Sequence, residues 1–256
     1  MSSGVSSSKV RRNFSRSASS YDSVASVQRE AAGILAARAA AALPRERSSI
    51  LELGCGTGLL SSELLRLAPS ASILASDISP EMLKVCGRKL LASGRLQLLE
   101  LDFCKPLPES LGLFDMIASS FAFQWGACVA GAIESAAQRL KPKGQLCAAV
   151  PLAGSLEELH IAFSEAGLGF PGLQLPDEAS LLAPLKASFS ETSFEIRLFS
   201  EGPFPLADAL RRFQSLGAVN AGEPMQASSL RQLLRRAGGR PVKLDYRVAF
   251  ASGRKA

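Results

Sequence analysis

A chain of 256 residues with 47% hydrophobic and 20% charged side chains can bury a full core, so an extended disordered protein is excluded. Its 29 Lys and Arg against 23 Asp and Glu leave a net charge of +6, which favours an acidic partner but falls short of a polybasic coat for nucleic acid. Eight of the basic and three of the acidic side chains lie in residues 1–50, so the excess is concentrated in an N-terminal arm.

The start, MSSGVSSSKVRR, has no apolar run and is not read as a secretory signal. Serine dominates it, and the sequence predicts a disordered tip over 1–13 with structure beginning near Phe14. An alanine-rich helix is predicted from Gln28 to Leu43, stopped by Pro44. From there strands and helices alternate. Strands are predicted at Ile50–Leu53, Ser72–Ser76, Leu96–Leu101, Met116–Ser119 and Gln145–Val150, with helices at Leu59–Ala68, Pro80–Leu91 and Cys128–Leu140. That order implies a parallel sheet wrapped by helices. The uncharged stretch Met116–Ile133 is interrupted by Ser119, Ser120, Gln124, Gly126 and Gly131, so it reads as a strand, a loop and a helix rather than a membrane span. After Pro151 the rhythm changes: helices at Ser155–Ala166 and Leu206–Ser215, a loop at Pro171–Pro176, and strands at Phe194–Phe199 and Val242–Ala251. No element is predicted between Pro176 and Phe194. Cys55, Cys86, Cys104, Cys128 and Cys147 form no CxxC pair, fit neither a zinc site nor a disulfide framework, and point to a reducing cytoplasm.

LELGCGTG at 51–58 carries the sharpest signal, a strand running into Gly54, Gly56 and Gly58 and then into a helix. Bare glycines let a ligand lie against backbone amides. The dinucleotide pattern GxGxxG fails because Leu59 stands where its third glycine belongs, and no Gly-Lys-Ser follows for a phosphate loop. Asp77 ends the second strand, where an acidic side chain accepts hydrogen bonds from ribose hydroxyls, though either Asp77 or Ser79 would also cap the helix opening at Pro80. Asp102 and Phe103 close the third strand, a carboxylate and a ring suited to an adenine.

With these features in register, residues 48–151 resemble the class I S-adenosylmethionine-dependent methyltransferases. The resemblance implies a Rossmann-like α/β fold: a seven-stranded, mostly parallel sheet with one antiparallel strand, inside a single domain over 14–256. It also implies that Glu52, Gly54, Cys55, Gly56 and Gly58 hold the methionine part of S-adenosylmethionine, Asp77 the ribose, and Asp102 with Phe103 the adenine. Ile78, Met82 and Ser119 are further cofactor contacts on the same ground, and no metal is implied. Lys143 departs from the family's usual double glycine at a turn before the fifth strand.

Four segments outside those motifs, FSRSASSYD at 14–22, SFAFQW at 120–125, GSLEELHIAF at 154–163 and FPLADALRRFQSLGAVNA at 204–221, resemble the malonyl-acyl-carrier-protein O-methyltransferases of biotin synthesis. The likeness implies a helical N-terminal lid over 14–47, a helical insertion within 152–256, and methylation of the free malonyl carboxylate on a carrier protein or coenzyme A. Ser120 replaces the family's frequent Asn. Tyr21, Gln124 and Trp125 are then substrate-positioning residues. No general base is expected because the acceptor is already ionised, and the single histidine, His160, reads as structural. A buried carboxylate needs a partner; Tyr21, Arg16 and Arg197 are candidates, with Phe14 and Phe123 as apolar walls. Lys9, Arg11, Arg12, Arg16, Arg211 and Arg212 would steer an acidic carrier. Neither a nucleic-acid nor a membrane partner is expected, and a monomer is. Methylation of another carboxylate or quinone precursor, or binding of adenosylmethionine without catalysis, are the alternatives.

Overall fold

The computed structural model describes residues 6–44, 47–125, 129–217, 226–236 and 239–256. Cys128, the end of the fourth quoted segment at 218–221, and the first five residues of the serine-rich tip lie outside them. Seven strands, β1 (Ser49–Leu53), β2 (Ser72–Asp77), β3 (Leu96–Glu100), β4 (Phe114–Ser120), β5 (Leu140–Pro151), β6 (Glu191–Phe204) and β7 (Val242–Arg254), form one sheet in the order β3-β2-β1-β4-β5-β7-β6. β1 to β5 pair in parallel, and β7 runs antiparallel to both β5 and β6. It is the one reversed strand, as expected.

Successive strand residues point to opposite faces, and the sheet uses both. Ile50, Met116, Ala118, Cys147 and Ala149 meet the core built on α3 (Ser26–Ala42), α4 (Leu59–Leu67), α5 (Pro80–Leu90), α7 (Glu157–Glu165), α9 (Leu206–Ser215) and α10 (Ala227–Arg236). Leu51, Ile117, Leu146, Ala148 and Val150 face the core built on α6 (Val129–Gln138) and α8 (Glu178–Ser188). Because β1 and β4 are buried on both sides, their apolar runs show no alternation in the sequence.

Three differences from the sequence reading have local causes. The chain is helical over α1 (Ser7–Ser17), so part of the predicted disordered tip is structured: Val10 and Ser17 are buried and Ser15 bonds Ser79 across to α5. The short α2 (Tyr21–Val24) follows. Helix α8 is hidden in the sequence by Pro176 and by Pro184 inside it, yet Asp177 caps it by accepting from the Ser180 N–H at 2.8 Å. Lys143 lies inside β5 rather than in a turn before it, and it adopts φ +62°, a left-handed backbone conformation, at an irregularity of the strand. No helix among the described residues is long and apolar enough to cross a membrane.

The glycines after β1 serve different ends. At Gly54 (φ +72°) an added Cβ would lie 2.3 Å from the Cβ of Ala122, and at Gly58 (φ +90°) it would lie 2.8 Å from Cys86 Sγ and from Leu90 Cδ1. At Gly56 (φ +53°) it would meet nothing within 4 Å. Gly56→Ala should therefore cost only the left-handed backbone strain, about 1–2 kcal/mol by chemical denaturation, while removing ligand binding at the cleft that Gly56 lines. Unchanged binding of an adenosine ligand by the folded variant would show that the loop is only a turn.

Candidate active site

Two clefts lie side by side at the carboxyl ends of β1, β2 and β4, where open α/β sheets bind ligands. The first has about 650 Å³ of free space, open solvent included, and is lined by Glu52, Gly54, Cys55, Gly56, Thr57, Asp77, Ile78, Met82 and Phe103 among others. The second, of about 590 Å³ on the same measure, is lined mainly by apolar groups such as Leu156, Phe170, Leu173, Leu175 and Phe213. Phe14, Tyr21, Gln28, Phe121 and Trp125 line both and form the wall between them.

The floor of the first cleft holds two carboxylates taken out of water. Asp77 is 8% exposed; its Oδ2 accepts the Gly56 N–H and its Oδ1 the Ser79 N–H, each at 2.8 Å. Burial nevertheless lifts its pKa to about 6 against the pull of the Ser79, Gly56 and Ile78 N–H groups. Glu52 is 1% exposed and accepts a hydrogen bond from the Ser61 hydroxyl. Burial first, then the neighbouring Cys86 and Asp77, push it to about 8. The Ser79 hydroxyl caps α5 by accepting from the Met82 N–H at 3.2 Å, so Ser79 takes the capping role and leaves Asp77 to the loop and the cleft.

The N-terminal helices cross the cleft and are tied to its rim. Asp22 accepts from Thr57 Oγ1 at 2.5 Å and from Lys89 Nζ, joining α2 to the glycine loop and to α5. Arg11 pairs with Glu100 at 3.0 Å, and Phe14 packs edge-on against Trp125 with ring centroids 5.1 Å apart. Burial, then the charges of Asp22 and Asp77, raise the Tyr21 pKa, so its phenol stays protonated and serves as a hydrogen-bond donor at neutral pH.

Glu52, Gly54, Cys55, Gly56, Asp77, Ile78, Met82 and Phe103 come together in the first cleft, Tyr21 and Trp125 on the shared wall, and Gln124 in the second cleft. Gly58, Asp102 and Ser119 line neither. Gly58 instead lets the loop before α4 approach Cys86 and Leu90 of α5, Asp102 accepts from the Cys104 N–H at 3.1 Å to shape the turn after β3, and Ser119 donates to the Leu53 carbonyl at 3.0 Å between strands. Phe123 is fully buried beneath the clefts rather than on their walls.

Of the candidate carboxylate partners, Arg16 and Arg197 line neither cleft; Arg197 is held by Glu195 at 2.6 Å and lies over the Phe250 ring. His160, read as structural, lines the second cleft and stacks on Phe170 with centroids 3.8 Å apart. Gln28 and Tyr246 also face the clefts and carry no local sequence signal, whereas Phe121, which faces them too, lies within the SFAFQW segment. Phe121 (φ +54°) and Leu156 (φ +59°) are two of the three described non-glycine residues in the left-handed region, and both wall the second cleft. Strain of this kind is typically kept at functional sites.

The sheet order, the glycine loop and the acidic cleft define a methyltransferase of the class I fold. Residues 50–144 match the family model described as a methyltransferase domain. The fold is similar to the crystal structure of the YcgJ protein from Bacillus subtilis (TM-score 0.61, 16% identity, 88% of this chain and 98% of that one). The chain is 31% identical to the malonyl-[acyl-carrier protein] O-methyltransferase of Magnetococcus marinus over 94% of its own length and 90% of the relative's. It is 30% identical to that of Herminiimonas arsenicoxydans, covering 97% and 96%. It belongs to the malonyl-[acyl-carrier protein] O-methyltransferase family. It is also 31% identical to the biotin biosynthesis bifunctional protein BioCD of Bordetella avium, and there it spans about half of the longer relative, 52%.

The two raised carboxylates fix how stability depends on pH. A carboxyl group whose folded pKa is raised contributes stability that is complete below its ordinary value near ~4 and is lost as pH rises through the folded value. For Asp77 that loss runs from ~4 up to about 6, and for Glu52 from ~4 up to about 8. The ligand-free protein should therefore melt at a higher temperature near pH ~6 than near pH ~9, and Glu52→Gln should flatten the upper part of the profile. A melting temperature that rises over that interval would contradict the assignment.

Proposed function

We propose that this protein transfers a methyl group from S-adenosylmethionine to the free carboxylate of a malonyl thioester on acyl carrier protein or coenzyme A, giving the methyl ester that primes biotin synthesis. The observation that carries the reading is the shared wall of Phe14, Tyr21, Gln28, Phe121 and Trp125, which sets an acidic, glycine-floored cleft against an apolar one in a member of this family.

The first cleft fits S-adenosylmethionine by the chemistry of its groups. Glu52 and Asp77, buried and short of positive charge, suit an ammonium and a pair of ribose hydroxyls; Phe103, Ile78 and Met82 give an apolar seat for adenine; and open space at the Gly56 Cβ position lets a ligand approach the backbone. When bound, S-adenosylmethionine supplies a methyl group on a cationic sulfonium. The malonyl carboxylate is ionised at neutral pH, so no residue has to remove a proton. What the chain supplies is alignment and a dry junction. The protonated Tyr21 hydroxyl donates to the acceptor carboxylate, while Phe14 and Trp125 close the wall above it. Helices α1 and α2 act as a lid held by the Asp22 contacts.

An acidic carrier finds its complement on α1. Lys9, Arg12 and Arg16 are exposed there, and none of them takes part in an ion pair among the described residues, whereas Arg211 is bound to Asp208 and Arg212 pairs with Glu201. The buried thiols Cys55, Cys86 and Cys147 support a reducing compartment.

Incubation with labelled adenosylmethionine and malonyl carrier protein should add one methyl group to the carrier, at a rate that falls as ionic strength rises. Tyr21→Phe should lower kcat by roughly tenfold or more through loss of one hydrogen bond to a charged group, with little change in adenosylhomocysteine affinity. Transfer to a quinone precursor or a free carboxylate but not to any malonyl thioester would overturn the reading.

A further inference from the structure

Gln124 follows the strained Phe121 in the loop after β4, and its Nε2 donates to the Phe121 carbonyl oxygen at 2.7 Å. That bond fixes the orientation of the amide, because a carbonyl oxygen can receive only its NH₂ end. The other end, Oε1, is buried without a hydrogen-bond partner among the described residues, in a residue only 8% exposed. Folded proteins leave few buried acceptors in this state, since each keeps the full cost of losing water. Gln124 lines the second cleft and not the first, so its unpartnered acceptor belongs to the wall on the acceptor-substrate side, and a donor that reaches it has to open the packing over it.

The malonyl group cannot satisfy it. At neutral pH its carboxylate and its thioester carbonyl are acceptors only, and each would repel Oε1. The donor must come from the part of the substrate beyond the sulfur. We infer that Gln124 Oε1 accepts a hydrogen bond from the first amide N–H of a pantetheine-type thioester arm, so that this residue distinguishes an amide-bearing malonyl thioester from other malonyl esters. The inference rests on the malonyl-thioester reading and deepens it. Phe121 supports the arrangement from both sides, since its N–H donates to the Ala149 carbonyl at 2.8 Å while its own carbonyl anchors Gln124. The acceptor is therefore held by the loop rather than free to turn away.

The test compares two small substrates that differ at one atom: malonyl-S-N-acetylcysteamine, and the same thioester with an ester oxygen in place of the N–H. With the full-length wild-type protein, kcat/KM should fall about tenfold or more on replacing N–H by oxygen, because a lost donor is compounded by two facing acceptors. Gln124→Met, which keeps the volume and lacks the acceptor, should turn over both at similar rates. A purely structural role for Gln124 would lower both rates alike and leave their ratio unchanged. Equal turnover of the two substrates by the wild type would overturn the inference while leaving malonyl methylation intact, as would full discrimination by a folded Gln124→Met. Failure to methylate either substrate or the malonyl carrier protein would instead defeat the malonyl reading, and this inference with it.

Discussion

Glu52 and Asp77 are carboxylates that the fold holds out of water at the ends of neighbouring strands, and most of the site follows from that constraint. Two such groups close together resist ionisation, and burial raises both, to about 8 and about 6. An arrangement this unfavourable to an empty cleft is favourable to a cationic ligand, which restores the missing charge. The glycine loop serves the same end. Its bare backbone donates the Gly56 N–H to Asp77 and leaves room above, so one short segment positions the acid and admits the ligand.

The second consequence is that the two clefts adjoin along a single wall, where the proposed reaction would bring its groups together. The acidic cleft and the apolar cleft share five residues, and of these only Tyr21 and Gln28 carry polar side-chain atoms besides the Trp125 ring nitrogen. No lysine or arginine lines either cleft among the described residues. Under the proposed function, a carboxylate at the junction would be met by neutral donors, Tyr21 foremost, rather than by an ion pair. A cation there would bind the acceptor more tightly but would also draw charge from the oxygen that has to attack. Leaving the acceptor with neutral partners would keep that charge available, while the proposed lid would exclude the water that otherwise solvates it.

Much of this was legible in the sequence because it depends on local features. The alternation of apolar runs and helices gave the order of the sheet elements, and the glycines with Asp77 located the first cleft. Gly58, Asp102 and Ser119 lie beside cleft-lining residues in sequence, but which neighbour reaches the cleft is decided by packing: Gly58 by contact with Cys86 and Leu90, Ser119 by a bond to β1, Asp102 by its own turn. Helix α8 was masked by its proline. The second cleft was hardest to foresee: Phe121 and His160 lie in quoted segments, but they meet Gln28 and Tyr246, which carry no signal, only through the fold.

Burial of Glu52 predicts a neutral side chain in the unliganded protein at neutral pH, ionised once a cationic ligand binds opposite it. Titration calorimetry with S-adenosylmethionine near pH ~7, repeated in buffers of different ionisation enthalpy, measures this directly as protons released on binding. The account predicts release of a large fraction of one proton by the wild-type protein and almost none by Glu52→Gln. Binding without proton release, or release that is undiminished in Glu52→Gln, would contradict it.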